Sequence, residues 1–224
     1  MPTRRTDVID AAMNLLDEAG LDELSTRRLA ERLGVRVGAL YWHLKDKDEL
    51  LAELADRIVG ECLAAADGER GNGAAAVEGG DRTESGIERL AATARALRRA
   101  MLGHRDGARL VAGHAVPGPN SLLLADRMIR TAREAGVPLP LAAYATDTLI
   151  SYVTGFVLQE QRIADRTARE PEPGPAPALD PARLAGLPDL AEMLADGPPD
   201  DETAFTAGLG LITAGLRRTT SAGE

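Results

Sequence analysis

Residues 24–50 read LSTRRLAERLGVRVGALYWHLKDKDEL, and the spacing of apolar residues in this stretch decides the fold. Ser25 and Thr26 are helix-capping types, Leu29, Ala30 and Leu33 follow at helical spacing, and Gly34 stands where a left-handed residue ends a helix. After that turn Val37, Leu40, Tyr41 and Leu44 predict a second short helix, the element that would lie in a DNA groove. Asp46 to Glu49 forms a D-x-x-E capping pattern that opens a third helix through Leu50, Leu51, Leu54, Ile58 and Val59 to about Ala66. Two short helices joined by a tight turn read as a DNA-binding helix-turn-helix.

Upstream, Val8, Ile9, Ala12, Leu15, Leu16 and Ala19 share one helical face that ends at Gly20, which completes a three-helix core. The 224-residue chain carries a net charge of −9, which excludes a protein that coats nucleic acid over its whole surface. Locally the sign reverses: between Ser25 and Lys47, Arg27, Arg28, Arg32, Arg36, Lys45 and Lys47 face only Glu31 and Asp46, six basic against two acidic residues, or +4. A solvated helix face would show the same charges, but a basic cluster on an acidic chain fits phosphate.

With 3% aromatic residues and few β-branched runs, the rest of the chain predicts an all-α protein. Stripes at Ser85–Gly103, Ala108–Gly113, Ser121–Ala135, Leu184–Leu194 and Glu202–Arg218 read as helices. Leu141–Arg162 does too, although its β-branched content leaves a strand as the alternative. The Gly-rich residues 67–86 and the Pro-rich residues 166–181 read as flexible loops. Gly208, Gly210 and Gly215 in the last helix call for the close approach of another backbone. These features divide the chain into a DNA-binding domain, residues 1–50, and a helical effector-binding and dimerisation domain, residues 51–224.

Cys62 is the only cysteine, which excludes an internal disulfide or a cysteine-based zinc cluster within one chain. The N-terminal residues lack the apolar run of a signal peptide, so a cytoplasmic protein that does not engage membranes is expected. Three histidines without metal or triad spacing argue against an enzyme and leave no cofactor to expect; His104-Arg105-Asp106 is the one cluster that could suggest catalysis.

LSTRRLAERLGVRVGALYWHLKDKDELL, with its YWH triplet and K-x-K, resembles the N-terminal domain of the TetR family of bacterial repressors, and within it the tetracycline repressor subgroup. LRRAMLGHRDGARL (97–110), EAGVPLPLAAYA, GFVLQEQ (155–161) and FTAGLGLITAGL are similar to that subgroup's regulatory domain. The resemblance implies a homodimer on a palindromic double-stranded operator. Thr26 and Arg27 would face DNA from the first helix, Val37, Gly38, Ala39, Tyr41, Trp42 and His43 from the second, and Lys47 from the residues after it. Arg27 suits phosphate or a guanine edge, Ala39 a thymine methyl, and Tyr41, His43 and Lys47 the backbone. Tyr41 and Trp42 could instead be core aromatics. Because Val37, Gly38 and Ala39 offer no polar side chain, base reading would rest more on Arg27, Arg28 and Arg36.

The resemblance also exposes differences. The subgroup holds a magnesium-bound drug through a histidine at the position of Val111, with acidic help at that of Gln159. Leu63, Thr93, Leu97 and Met128 stand where it uses His, Asn, Phe and Gln. These residues predict an apolar effector pocket lined by Leu63, Thr93, Leu97, Val111, His114 and Met128, with Gln159 beside it and no metal. His114 is either a ligand contact or a hydrogen-bonded structural residue. The expected function is a ligand-responsive repressor; the alternative is a DNA-binding regulator or architectural protein without a small-molecule effector.

Overall fold

The structure, a computed structural model, describes residues 4–73, 82–113, 117–169, 184, 186–195, 197 and 200–221. All regular elements among them are helical. Helix α1 (Arg5–Ala19) ends at Gly20, whose φ of 85° few side chains could adopt, and a short 3-10 turn at Leu21–Glu23 follows. Helix α2 (Thr26–Leu33) is capped by Ser25, whose hydroxyl accepts the Arg28 N–H at 3.3 Å, and it ends at left-handed Gly34 (φ 66°). Val8, Ala12, Leu16, Leu24, Leu29 and Leu40 are fully or almost fully buried and form the small domain's core.

Helix α3 spans only Val37–Leu40, shorter than its sequence pattern predicts, and a turn over residues 41–43 continues it. Leu40 and Leu44 point inward as expected, whereas Val37 and Tyr41 are exposed, because a single helical turn cannot bury four positions. Helix α4 (Lys47–Gly73) begins with Asp46 accepting the Glu49 N–H at 2.8 Å, as the capping pattern predicts. The Glu49 carboxylate, however, accepts the N–H of Lys45 rather than that of Asp46, one residue earlier than the pattern requires.

Parts of both expected loops are helical instead. Residues 67–73 continue α4 and residues 82–86 open α5 (Arg82–Leu102), while residues 74–81 lie outside the described residues. Once a helix is nucleated, each further residue adds a hydrogen bond, so glycines that would not start a helix can still extend one. Likewise residues 166–169 belong to α8, and residues 170–183 lie outside the description. Helices α6 (Gly107–Ala112), α7 (Pro119–Glu134), α8 (Leu139–Arg169), α9 (Pro188–Ala195) and α10 (Asp201–Ser221) complete the order. The strand alternative for residues 141–162 is thereby excluded. Residues 139–165 of α8 are apolar and long enough to cross a bilayer, yet Ala142, Leu149, Val153 and Val157 pack into the core.

Helix α4 passes position 50 without a break and packs on α1 at one end and on α5, α6 and α7 further along. The two halves of the molecule therefore share one rod. Between α5, α8 and α10, Arg98 bonds Glu160 at 2.6 and 3.0 Å, pairs with Glu202, and lies over the Phe205 ring at 4.7 Å. Of the three glycines in α10, only Gly208 meets a close neighbour. It is the Tyr152 ring rather than another backbone, and an added Cβ would lie 2.2 Å from the Tyr152 hydroxyl oxygen. Gly210 and Gly215 face open space in this chain.

Candidate nucleic-acid interface and regulatory core

The candidate DNA-facing surface comprises the cap of α2, the single turn of α3 and the start of α4. Trp42 is 88% exposed and Tyr41 56%, so both aromatics stand in solvent and the core reading of either is overturned. Their neighbours Leu40 and Leu44 fill the core on the other side of the turn, and this outward display follows from that anchoring. Gly38 is exposed, and a Cβ placed there would meet nothing within 4 Å. Thr26, Ala39 and His43 are half-buried, while Arg36, Val37 and Lys47 are exposed.

The basic residues differ in how free they are. Arg27 pairs with Glu31 at 3.0 Å, Arg28 with Glu23 at 2.7 Å, and Arg32 with Glu18 at 2.5 Å. No ion pair engages Arg36, Lys45 or Lys47 among the described residues. An anion approaching this surface would meet Arg36, Lys45 and Lys47 outside any such pair, whereas Arg27 and Arg28 would first have to exchange a surface partner, a small penalty for exposed pairs.

Sequence reasoning missed the residue that holds this surface. From the first turn of α1, the Arg5 guanidinium donates to the His43 carbonyl and to the carboxylates of Glu49 and Glu53, tying the reading turn to α4. The Arg5 bond, followed by the Lys45 N–H, holds the Glu49 carboxyl below the usual carboxylate range. No local pattern marks Arg5, because its partners lie 38 to 48 residues away.

In the regulatory half, Leu63 (α4), Leu97 (α5) and Met128 (α7) are buried in one core cluster, with half-buried Val111 (α6) packed against it. Thr93 donates its hydroxyl to the Arg89 carbonyl, and its own carbonyl faces the Cys62 sulfur at 3.8 Å. Gln159 is exposed on α8, and His114 lies outside the described residues. Two cavities lie among the described residues, and Leu63, Thr93, Leu97, Val111, Met128 and Gln159 line neither of them. One, of about 580 Å³, lies between Gly20–Glu23 and residues of α6 and α8, including Arg109 and Gln161. The other, of about 640 Å³, runs along α4 beside Pro117–Asn120. At its edge Asp56 of α4 caps α7, accepting from the Asn120 and Ser121 N–H groups at 3.2 and 2.9 Å.

The turn between α5 and α6 bridges the two halves. Asp106, in the left-handed region at φ 57°, accepts the Leu21 N–H at 2.8 Å, and Arg109 pairs with Asp22 at 2.7 Å. From α8, the Gln161 carboxamide donates to the carbonyls of Met101 and His104 and accepts the Ala108 N–H. His104-Arg105-Asp106 is thus a joint between domains.

Residues 8–54 match the model of the bacterial regulatory proteins of the tetR family, and residues 80–220 match that of the tetracyclin repressor-like C-terminal domain. The chain is 37% identical over 212 residues to the class A tetracycline repressor protein from transposon 1721 of Escherichia coli, covering 94% of this chain and 89% of that one. It is similar to Streptomyces coelicolor ActR solved in complex with actinorhodin, with a TM-score of 0.74, 28% identity and coverage of 98% and 99% of the two chains. It also matches BioQ solved with its double-stranded DNA operator, with a TM-score of 0.59, 34% identity and coverage of 75% and 92%. The helix-turn-helix, the shared rod and the regulatory core thus have one common explanation: the chain belongs to the TetR family of bacterial transcriptional regulators, on its tetracycline repressor-like side.

Proposed function

We propose that the protein is a ligand-responsive repressor that binds a palindromic operator as a homodimer and is released by a small, largely apolar or aromatic effector other than a magnesium-tetracycline chelate. The observation that carries the DNA half is the solvent display of Trp42, Tyr41, Arg36 and Lys47 around one anchored turn. DNA contacts are proposed at Thr26, Arg27, Arg28, Arg36, Val37, Gly38, Ala39, Tyr41, Trp42, His43 and Lys47. Likeness to BioQ, solved on its operator, supports this.

For the effector we propose contacts from Leu63, Thr93, Leu97, Val111, His114, Met128 and Gln159. The apolar character of Leu63, Leu97 and Met128 disfavours a charged chelate, and Val111 offers a metal no donor. Likeness to ActR, solved with actinorhodin, supports a ligand-binding core. One observation favours the second reading, a regulator without an effector: Leu63, Leu97 and Met128 are buried together in the packed core cluster.

Selection of bound duplexes from random DNA tests the reading, followed by titration of the recovered operator with apolar aromatic compounds and with tetracycline plus magnesium. A palindrome released by an apolar compound and not by the chelate is the expected outcome. Release by the chelate would overturn the effector assignment, and the absence of any enriched sequence would overturn the DNA assignment.

A further inference from the structure

His104, in the turn after α5, lies between two carboxylates from different helices. Its Nδ1 is 3.1 Å from both carboxylate oxygens of Asp17 on α1, and its Nε2 is 2.9 Å from Glu61 on α4. The imidazole is 14% exposed. A neutral ring carries one N–H and one lone pair, so it can satisfy only one of these carboxylates and sets its lone pair against the other. The doubly protonated ring satisfies both.

We propose that His104 is a proton-operated clasp between the DNA-binding half and the regulatory core, tying Asp17 to Glu61 when both ring nitrogens carry hydrogen and releasing one of them when a proton is lost. The surroundings isolate the ring as the titrating element. Arg105 gives its peptide N–H to Asp17 and its guanidinium to the Glu18 carbonyl. Asp106 is engaged by the Leu21 N–H, and Arg57, one turn before Glu61, is paired with Asp10 of α1. From α8 the neutral Gln161 carboxamide donates to the His104 carbonyl. Burial opposes charge on the ring, but Glu61 and Asp17 outweigh it and raise its pKa above that of an ordinary imidazole. The raised value fixes the sign: the stabilisation is complete below the ordinary imidazole range and is lost as pH rises through the ring's own midpoint.

The clasp is independent of the repressor reading, but its consequence for DNA rests on that reading. The test uses the full chain. Histidine NMR resolves the three imidazoles, thermal unfolding is followed between pH 5 and 9, and binding to the selected operator is measured over the same range. The His104 ring should titrate above the ordinary range, thermal stability should fall through that midpoint, and operator affinity should change with it. In His104→Gln this step in stability and affinity should be lost. Should His104→Gln fail to fold, Asp17→Asn and Glu61→Gln, which keep the ring, should each lower its midpoint. A ring that titrates at or below the ordinary value, or a pH step unchanged in these variants, would overturn the clasp. A titrating clasp with no selectable operator would leave it standing and refute the DNA reading instead.

Discussion

Trp42 is the only tryptophan, and at 88% exposure it contributes almost nothing to the core. Trp42→Ala should therefore change unfolding stability by no more than about 0.5 kcal/mol while weakening operator binding. Because this indole stands alone, intrinsic fluorescence reports on the proposed interface without interference from another tryptophan. Emission should be that of a solvated ring in the free protein and should change on titration with operator; an operator that binds without altering the emission would remove Trp42 from the interface. Gly38 invites a similar separation of fold from contact. A methyl group there meets no protein atom, and alanine favours the helix by about 1 kcal/mol over glycine. Gly38→Ala should thus keep or raise the melting temperature, and any loss of operator affinity measures how closely DNA approaches this backbone.

At the scale of elements, two side-chain contacts illustrate how helices are held to one another. Asp56 caps α7 from α4, and a Cβ at Gly118 would lie 2.4 Å from its carboxyl carbon. Asp56→Ala should destabilise by about 1 kcal/mol, as loss of a helix cap does, with thermal unfolding as the measurement. Arg98 and Glu160, with side chains 10% and 9% exposed, join α5 to α8. Glu160→Gln leaves a buried guanidinium with Glu202 as its remaining carboxylate partner and should cost about 2–3 kcal/mol, read in urea unfolding. None of these long-range partners was legible in the sequence. Ser25, Gly34 and the stripe from Val8 to Leu16 were, since a cap, a left-handed stop and a helical face are fixed by residues within a few positions of one another. Asp56 meets Ser121 across 65 residues, and Gln161 meets His104 across 57, with no local pattern to announce either. The shorter α3 escaped for a related reason: Tyr41 fits the apolar spacing, and only the packing of Leu40 and Leu44 turns it outward.

For the whole molecule, the acidic balance and the basic reading surface act together. An overall charge of −9 repels DNA from most faces, so on the proposed reading the patch holding Arg36, Lys45 and Lys47 would set the orientation at encounter. Binding should weaken steeply with salt. For a homodimer, Lys47→Ala removes one phosphate contact from each copy and should reduce the slope of log affinity against log salt by about 2. An unchanged slope would place Lys47 away from phosphate. The same molecule-wide view gives the unbroken α4 a mechanical meaning. Its 27 residues make a rod roughly 40 Å long at about 1.5 Å per residue. Pivoted at its regulatory end, a tilt of only 4° would carry the reading end through roughly 3 Å, the length of a hydrogen bond. Very little motion among buried side chains, amplified along α4, would suffice to displace Trp42 and Lys47 from the contacts with DNA proposed for them.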